Sequence, residues 1–571
     1  MTRPRATLVA LAVLVALLAA GCSTPVQPPE QPDLSPSAGS GSPPAQPTDP
    51  PVVGRRPNVL VIETDDMRAD ELRWMPRTRA LVAERGLTFA NSFSPDPLCC
   101  PSRASFLTGQ YSHNHHVLSH EEPYGFGAFD DADTLATRLT AAGYRTALVG
   151  KYLNGYGIQP TFATGDDSET YVPPGWTQWW AGDDRVRPAG DPLHGGTYSY
   201  FSLTSNVNGT VRSWPGRYST DVTAEQTRSL LGRFGSARRE RPWFVWWNPI
   251  APHHGGPFEP DDPGTTRRSD GVPVSWDTPA RPEWVKGTLD DRIAHGGGTR
   301  STGSAEADRT DKPRYLRNLP ELTATERRAL LTVTRQRAET LVVLDRQVAR
   351  TLEALAASGQ ADETIVVFTS DNGYYLGEHL KRQGKINLHE PSVRVPLLIS
   401  GPGIPRGTRY DPVTTLDLAR TIATWAGAEL AAPDGQDLAP LIRDGDSGWV
   451  HPVVLEGLMP EAAYAAAIGR PGWSSDLDTV GVRTGRWKLV RYSTGETELY
   501  DLRADPLELA SIPLARAPDG IADRLLEVWR EYVGCAGADC LEPLPDDLRL
   551  SPADNRALTD AQRAAESAYY G

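Results

Sequence analysis

The chain has 571 residues, five cysteines and a formal net charge of −14, from 58 Lys and Arg against 72 Asp and Glu. Five cysteines are too few to staple so long a chain, which excludes a disulfide scaffold. The acidic balance argues against a nucleic-acid partner, because a general nucleic-acid binder needs a basic surface to displace phosphate counterions. The length favours one large α/β unit with a small partner domain over many small domains.

The N-terminus is typical of a targeting segment. Two arginines precede an apolar run, Leu8–Ala20, that is too short to cross a bilayer as a helix. The Gly21-Cys22 that follows resembles the end of a bacterial lipobox. We therefore predict that residues 1–22 are a lipoprotein signal peptide and that Cys22 is lipidated; the alternative is an ordinary signal peptide cut near Gly21.

Residues 23–56 are rich in Pro, Ser and Gly and cannot build a core, so we predict an extended tether. No other segment is long and apolar enough to cross a membrane. The predicted location is therefore the outer face of a bacterial membrane, held by the lipid anchor only, or outside the cell if the lipobox is not used.

Past Pro57, short β-like runs alternate with helical patterns. A helix is predicted from Thr134 to Gly143, and the capping box Thr323-Ala324-Thr325-Glu326 begins a long helix that ends near Gly359. The β-α-β order predicts an α/β fold with a mostly parallel sheet covered by helices. The predicted buried strands are Asn58–Glu63, Thr146–Val149, Trp243–Trp247 and Thr364–Thr369.

The character of the chain changes near residue 447. Thr484–Tyr492 and Glu498–Leu502 predict short antiparallel strands, and a helix is expected around Ile521–Tyr532. The stretch 255–318 has no periodicity and is expected to be an irregular surface excursion. The expected units are a catalytic domain at 57–446, a small α+β subdomain at 447–549 and a C-terminal tail at 550–571.

Polar residues follow each predicted strand of the large sheet. Active sites of open α/β sheets form at the carboxyl ends of their strands, so these residues are the ones that would meet. Three carboxylates and one amide oxygen form a hard-oxygen set, which selects Ca²⁺ or Mg²⁺ over zinc. A single Asp pair is more often a helix cap or a turn than a metal site, but here polar residues follow four strand ends. The residues are Asp65 and Asp66, Lys151, His253 and His254, and Asp371 and Asn372.

Residues 99–109 (CCPSRASFLTG) match the C-x-P-S-R-x-x-x-L-T-G signature and resemble the type I sulfatases. The resemblance runs from about Pro57 to Leu509. GKYLNGY, Tyr171–Trp176 and Ser112–His116 look like the N-acetylglucosamine-6-sulfatase and arylsulfatase branch. The other matching segments are Thr64–Asp66, Gly150–Asn154, Ala251–His253, Ser370–Gly373, Lys385–Glu390, Arg394–Pro396 and Glu498–Leu502.

This resemblance implies the alkaline-phosphatase-superfamily fold and hydrolysis of sulfate monoesters, on sulfated carbohydrate such as N-acetylglucosamine 6-sulfate or on aryl sulfates. In the family, a dedicated formylglycine-generating enzyme oxidises the first signature cysteine, here Cys99, to Cα-formylglycine (3-oxoalanine). The hydrated aldehyde attacks sulfur with one hydroxyl, and loss of the proton from the other expels sulfate.

The resemblance also implies roles for individual residues. Lys151, His253 and Lys385 would bind the sulfate oxygens, with His253 as the acid for the leaving oxygen. Arg103 would brace residue 99, and Asp371 would be the base toward the hydrated aldehyde. The implied cofactor is Ca²⁺, with Mg²⁺ as the alternative, and its implied ligands are Asp65, Asp66, Cys99, Asp371 and Asn372.

One position departs from the pattern. Many arylsulfatases carry a histidine two residues after the lysine matched by Lys151, and here that residue is Leu153. Asn154 is expected to take over a polar contact. The proton acceptor for sulfate release is therefore left unassigned, and His254 stays an alternative to His253.

Other residues have less specific interpretations. Cys535 and Cys540, five apart in an exported chain, predict a local disulfide rather than a metal site. Cys100 is expected to be structural or free. The histidines at 113, 115 and 116 are expected in a loop lining the substrate cleft, and His379 either there or at the surface. Trp176, Trp179 and Trp180 are expected to pack in the core or at the rim rather than stack on sugars.

Two other functions remain open from the sequence. Relatives with the same nucleophile hydrolyse phosphonate or phosphate esters. The chain could alternatively be a catalytically silent lipoprotein that binds sulfated glycans, although the intact nucleophile, metal and lysine set argues against this.

Overall fold

The structure is a computed structural model that describes residues 56–236, 241–300, 306, 308–457 and 479–570. The predicted signal peptide, Cys22 and the predicted tether up to residue 55 lie outside the described residues. The strands, in chain order, are β1 Asn58–Thr64, β2 Leu87–Phe93, β3 Arg145–Gly150, β4 Gln178–Gly182, β5 Ser202–Val207, β6 Thr210–Pro215, β7 Trp243–Asn248, β8 Thr266–Arg267, β9 Pro273–Val274, β10 Thr364–Ser370, β11 Leu398–Ser400, β12 Gly407–Thr414, β13 Val453–Gly457, β14 Thr479–Arg483, β15 Trp487–Tyr492 and β16 Thr497–Asp501.

The α-helices of the same residues range from single turns to a helix of 34 residues. Among the described residues, no helix combines the length and the apolar character needed to cross a bilayer. The helices are α1 Pro76–Leu81, α2 Cys99–Thr108, α3 Ser112–His115, α4 Leu135–Ala141, α5 Ser219–Ser236, α6 Arg314–Arg317, α7 Ala324–Ala357, α8 Glu390–Val393, α9 Thr415–Ala426, α10 Ala439–Asp444, α11 Ile521–Tyr532 and α12 Pro552–Tyr570.

Ten strands of the described chain form one large sheet in the order β12-β2-β11-β10-β1-β7-β3-β4-β5-β6. The central strands β10, β1, β7, β3 and β4 are parallel. Antiparallel pairing occurs between β10, β11 and β2 on one side and between β4, β5 and β6 on the other. The prediction of an α/β fold with a mostly parallel central sheet is confirmed.

The register of the central strands brings their carboxyl ends to one edge. Thr64 at the end of β1 pairs with Ser370 at the end of β10, and Gly150 at the end of β3 pairs with Asn248 at the end of β7. The residues that follow these four strands therefore leave the sheet side by side. This alignment is what positions the candidate site.

Helices cover both faces of the sheet because its central strands are apolar on both faces. Alternate side chains of β1 point to opposite faces, so Val59 and Val61 join one core cluster while Leu60 and Ile62 join the other. The first cluster includes residues of α2, α4 and α9, and the second includes residues of α5 and α7. Burying each such side chain contributes about 1.5–3 kcal/mol.

The predicted long helix begins where the capping box places it. Thr323 Oγ1 accepts a hydrogen bond from the Glu326 backbone N–H at 3.2 Å, and Glu326 Oε2 accepts one from the Thr323 N–H at 2.8 Å. Both bonds satisfy groups that a helix N-terminus leaves without intrahelical partners. α7 then runs to Ala357, and Gly359 follows with a φ of +70°.

A separate antiparallel sheet, β13-β14-β15-β16, follows in the C-terminal part, as predicted. The run Thr484–Tyr492 is not one strand, however. Thr484 Oγ1 accepts a hydrogen bond from the Trp487 N–H at 2.9 Å and closes a turn, so the strand begins at Trp487. The helix expected at Ile521–Tyr532 is α11, and Trp529 Nε1 ties it to the Val480 carbonyl at 3.1 Å.

The predicted C-terminal tail contains the helix α12. Asn555 Nδ2 donates to the carbonyl of Tyr410 in β12 at 2.7 Å, and Arg394 pairs with Glu566 at 2.5 Å. These contacts connect the last helix to β12 of the large sheet and to the end of α8.

Candidate active site

Cys99 is the first residue of α2 and is completely buried. The helix ends at Gly109, whose φ of +71° is accessible to glycine at little cost. Its N-terminus lies at the carboxyl edge of the sheet, where Cys99 Sγ is 3.3 Å from Asp65 Oδ1 and 3.7 Å from Asp66 Oδ1. The signature helix thus brings residue 99 to the strand-end residues.

Carboxylate, amide and imidazole groups lie together around the side chain of Cys99. One ligand atom each of Asp65, Asp66, Cys99 and His253 lies within 4.8 Å of all the others. Asn372 Nδ2 donates to Asp66 Oδ1 at 2.7 Å, but Asn372 Oδ1 and Asp66 Oδ2 are buried and have no hydrogen-bond partner. Unpaired buried oxygens are costly, and a hard cation would satisfy them. The donor set therefore fits Ca²⁺ or Mg²⁺.

The backbone at Asp66 is strained, with a φ of +65°. Arg337 holds this conformation by donating from Nη2 to the Asp66 carbonyl at 2.6 Å, and Arg337 Nε is paired in turn with Glu71 at 2.9 Å. Such strain persists only where the surroundings enforce it, and it is concentrated at functional sites.

Asp371 lies beside this group, and both of its carboxylate oxygens accept hydrogen bonds. Its Oδ1 accepts hydrogen bonds from the backbone N–H groups of Asp66 at 3.0 Å and Asn372 at 2.8 Å. Its Oδ2 accepts one from Arg103 Nε at 2.9 Å. Arg103 thus forms an ion pair that orients Asp371.

Two lysines, Lys151 buried and Lys385 largely buried, neutralise the aspartates. Lys151 Nζ lies 2.7 Å from Asp65 Oδ2, while Lys385 Nζ contacts Asp66 Oδ1 and lies 2.6 Å from Cys99 Sγ. Burial alone would lower the pKa of both amines, but the carboxylates of Asp65 and Asp66 outweigh it, so both pKa values are raised. Both side chains therefore carry a positive charge in a small pocket of an acidic protein.

His253 has a defined orientation. Its Nδ1 lies 2.7 Å from the His254 carbonyl, so this nitrogen carries the proton and Nε2 is an acceptor. Nε2 lies 3.7 Å from Asp66 Oδ2, and burial, with His254, lowers the pKa of the ring well below its usual value. His253 Nε2 and Asp66 Oδ2 are both acceptors and share no proton, so a cation between them would give both a partner. The proton needed for the predicted role as an acid is therefore disfavoured in this state.

Glu63 is a buried acid near the site that the sequence interpretation did not single out. Arg103 Nη1 lies 3.6 Å from Glu63 Oε2, which also accepts a hydrogen bond from Trp246 Nε1 at 2.9 Å. Burial raises the pKa of this carboxyl to about 7. A glutamate in an otherwise apolar strand, two residues before Asp65, was the signal that could have identified it.

The departure at Leu153 has a structural explanation. Leu153 points into the hydrophobic core and is only 1% exposed, so it is not a site residue. Asn154 faces Tyr198 instead and donates from Nδ2 to its hydroxyl at 2.6 Å. The Tyr198 ring centroid lies 5.2 Å from Lys151 Nζ. Tyr198 comes from an irregular segment that carries no sequence motif.

Two histidines of the 113–116 tract have buried hydrogen-bond partners, while His116 is exposed and, with His115, lines a surface cavity. His113 contacts Glu456 and lies 2.7 Å from the Cys535 carbonyl, and His115 bonds to Ser105 at 2.9 Å. His379, expected in the cleft or at the surface, is buried 3.1 Å from Glu306 Oε2. The burial of His379 was not predicted, because its partner Glu306 is distant in sequence.

Cysteines and tryptophans elsewhere have structural contacts. Cys535 and Cys540 form a disulfide, and Cys100 is a buried free thiol 3.6 Å from the Asn154 carbonyl. Trp179 packs edge-on against Tyr152 within the core. The prediction that Trp179 packs in the core or at the rim rather than on a sugar agrees with this contact.

The family model described as Sulfatase matches residues 57–428. The chain belongs to the sulfatase family. A second model, described as N-sulphoglucosamine sulphohydrolase, C-terminal, matches residues 377–531 of this sulfatase. The second match begins within the loop that carries Lys385 and extends through α11.

Named relatives agree with this assignment. The sulfatase is 29% identical over 532 residues to an arylsulfatase of Volvox carteri, covering 86% of this chain and 76% of the relative. It is 27% identical over 525 residues to human N-acetylglucosamine-6-sulfatase, covering 86% of each. The family model and these relatives identify a sulfuric ester hydrolase.

A solved structure shows the same fold. A protein solved in complex with its substrate D-glucosamine-2-N,6-O-disulfate aligns with a TM-score of 0.58 at 19% identity, over 84% of this chain and 97% of that one.

Proposed function

We propose that this sulfatase hydrolyses sulfate esters of carbohydrates with a nucleophile made from Cys99. The observation that carries the proposal is the convergence of Cys99, Asp65, Asp66 and Lys385 in one buried cluster. A sulfate monoester is an anion, so its binding and its attack by a nucleophile both require local positive charge. Lys151 and Lys385 supply it.

A maturation enzyme would convert Cys99 to formylglycine. The hydrate of this aldehyde would supply one hydroxyl for attack on sulfur and a second for the release of sulfate. Lys151 and Lys385 would bind the sulfate oxygens with their ammonium groups, and His253 would bind one through Nε2 when that nitrogen carries a proton. Asp371, oriented by Arg103 and by two backbone N–H groups, would take the proton from the hydrate. The leaving alcohol would lie on the side of Tyr198, which is half-buried, and His254, which is exposed.

A divalent cation, proposed to be Ca²⁺, would be held by Asp65, Asp66, Asp371, Asn372 and residue 99. It would supply Lewis-acid polarisation and charge neutralisation at the sulfate. The buried, unpartnered Asp66 Oδ2 and Asn372 Oδ1 support this proposal. Removal of divalent cations with a chelator should abolish turnover and lower the melting temperature, and Ca²⁺ should restore both. Retention of full activity after exhaustive chelation would contradict it, and restoration by Mg²⁺ alone would assign the alternative ion.

The proposed substrate class is sulfated hexosamine, with N-acetylglucosamine 6-sulfate as the first compound to test. It is supported by the name of the human relative and by the sulfated glucosamine bound in the structural neighbour.

The function is tested by comparing kcat/KM for N-acetylglucosamine 6-sulfate, 4-nitrophenyl sulfate and a 4-nitrophenyl phosphonate monoester. We expect both sulfates to be preferred over the phosphonate. Cys99→Ala should abolish turnover, while the neighbouring Cys100→Ser, which keeps a small donor near the Asn154 carbonyl, should remain active. A strong preference for the phosphonate, or activity of Cys99→Ala near the wild-type rate, would contradict the proposal.

We also propose that Cys22 carries a lipid anchor that holds the enzyme at the outer face of a bacterial membrane. Cys22 lies outside the described residues, and the support is the sequence pattern alone. Cys22→Ser should release the protein from the membrane fraction; unchanged membrane association would contradict the anchor.

A further inference from the structure

Tyr198 forms one side of the candidate active site. Its ring centroid lies 5.2 Å from Lys151 Nζ and 4.7 Å from the centroid of the His253 ring. Lys151 and His253 are buried, whereas Tyr198 is only half-buried. A group attached to a sulfate held by those two residues therefore leaves the site beside this ring.

A second ring continues the same surface. His254 is exposed, and its ring is inclined by only 12° to that of Tyr198, with centroids 6.5 Å apart. The His253 ring packs against His254 at 4.1 Å. We call Tyr198 and His254 together the aromatic wall.

Backbone contacts fix the aromatic wall, although its two residues are far apart in sequence. The Tyr200 N–H donates to the Gly256 carbonyl at 2.8 Å, and the Tyr200 hydroxyl donates to the His253 carbonyl at 2.8 Å. A Cβ on Gly255 would lie 2.4 Å from the Tyr198 carbonyl oxygen, so only glycine permits this approach. The wall is therefore built into the fold and does not depend on a flexible surface side chain.

Asn154 fixes the tilt of the Tyr198 ring. Its Nδ2 donates to the Tyr198 hydroxyl at 2.6 Å, and Asn154 lies three residues after Lys151. The segment that supplies a sulfate-binding cation thus also orients the ring. A flat aromatic face held in one orientation loses little conformational entropy when a ligand packs on it.

We propose that the aromatic wall selects sulfate esters whose alcohol part is a ring, a pyranose or an aryl group, by packing against its face. This proposal rests on the proposed function and specifies its substrate class. Aromatic side chains supply large, geometrically defined contact areas in ligand sites, and a ring buries more apolar surface against them than a short acyclic chain does. Tyr198 is in this view a specificity-determining residue.

Two primary alkyl sulfates with chemically similar leaving groups test the proposal: N-acetylglucosamine 6-sulfate, which carries a ring, and ethyl sulfate, which does not. The readout is the ratio of their kcat/KM values, measured by sulfate release. In Tyr198→Leu we expect the ratio to fall at least about tenfold, a difference of about 1.4 kcal/mol. In Tyr198→Phe, which keeps the ring, we expect it to stay within about threefold of wild type.

Phe162→Leu is the matched control, because Phe162 is an aromatic residue 54% exposed on another part of the surface. It should leave the ratio unchanged. If Tyr198→Leu lowers both kcat/KM values equally, Tyr198 only supports Lys151 and His253, and the proposal is wrong. A fall of the ratio in Tyr198→Phe as large as that in Tyr198→Leu would also contradict it, because the ring is still present. Failure of the proposed function is distinguishable, since the wild-type protein would then hydrolyse neither ester.

Discussion

Arg103 Nε donates a hydrogen bond to Asp371 Oδ2 at 2.9 Å, with both side chains completely buried. On its other side the same guanidinium lies 3.6 Å from Glu63 Oε2. The arginine of the signature therefore acts on the site through Asp371. It also balances two acids that have no access to water.

Replacing Arg103 with Met should destabilise the protein strongly. The variant leaves Asp371 and Glu63 buried without their cation, and breaking a buried pair in this way costs about 3–5 kcal/mol. The free energy of unfolding from urea titration measures the loss. The exposed pair Arg443 and Asp444 provides the control, since Arg443→Met should leave the unfolding midpoint unchanged. Equal effects of the two substitutions would contradict the account.

Lys385→Ala should slow the reaction without unfolding the protein. Lys385 Nζ contacts Asp66 Oδ1 and Cys99 Sγ, where negative charge on the sulfate would develop. Removing one such stabilising group typically lowers kcat by a factor of about 100 or more. Steady-state kinetics with 4-nitrophenyl sulfate measures the effect. Lys286 pairs with Glu259 and Glu283 and provides the control. The kcat of Lys286→Ala should remain within about twofold of wild type.

Leu153→His should not recover a missing catalytic histidine. The Leu153 side chain packs in the core with Tyr152 and Trp179 among its neighbours in the same cluster, so an imidazole there would be buried without a partner. Burial of an unpaired polar group costs about 1–3 kcal/mol. The variant should melt at a lower temperature and show no gain in kcat. Leu153→Met should cost less than about 1.5 kcal/mol; a gain in kcat for the histidine variant would show that residue 153 reaches the substrate.

The contact between His113 and Glu456 should stabilise the protein only below alkaline pH. Burial alone would lower the pKa of His113, but the hydrogen bond and the charge of Glu456 raise it to about 9, above the value of about 6.5 in the unfolded chain. The contribution is therefore complete below pH 6.5 and is lost as the pH rises through 9. Denaturant titrations of wild type and His113→Gln at pH 6 and pH 10 should give a large difference in stability at pH 6 and a small one at pH 10. A difference that grows with pH would contradict this interpretation.

Much of the site could be predicted from the sequence, because the end of a strand can be recognised from a short apolar run and the polar residues after it. Asp65, Lys151, His253 and Asp371 each follow an apolar run, and parallel strands bring such residues to one edge. The resemblance supplied Cys99 and Lys385, which do not follow a strand of the sheet.

Side chains placed by tertiary contacts did not follow from the sequence. Tyr198 reaches the site through the backbone bonds between segments 198–200 and 255–256, which no periodicity indicates. His113 is held by Glu456, more than 300 residues later in the chain. The burial of Leu153 was equally unpredictable, since its neighbours at 151 and 154 face the site and Tyr198.

The central claim is that Cys99 becomes the formylglycine nucleophile, and mass spectrometry of the peptide that contains residues 99–103 tests it most directly. The account predicts a mass about 18 Da below that of the unmodified peptide, because an aldehyde replaces the thiol. Cys100, in the same peptide, should remain alkylatable. A fully active enzyme whose Cys99 is an unmodified thiol would contradict the account.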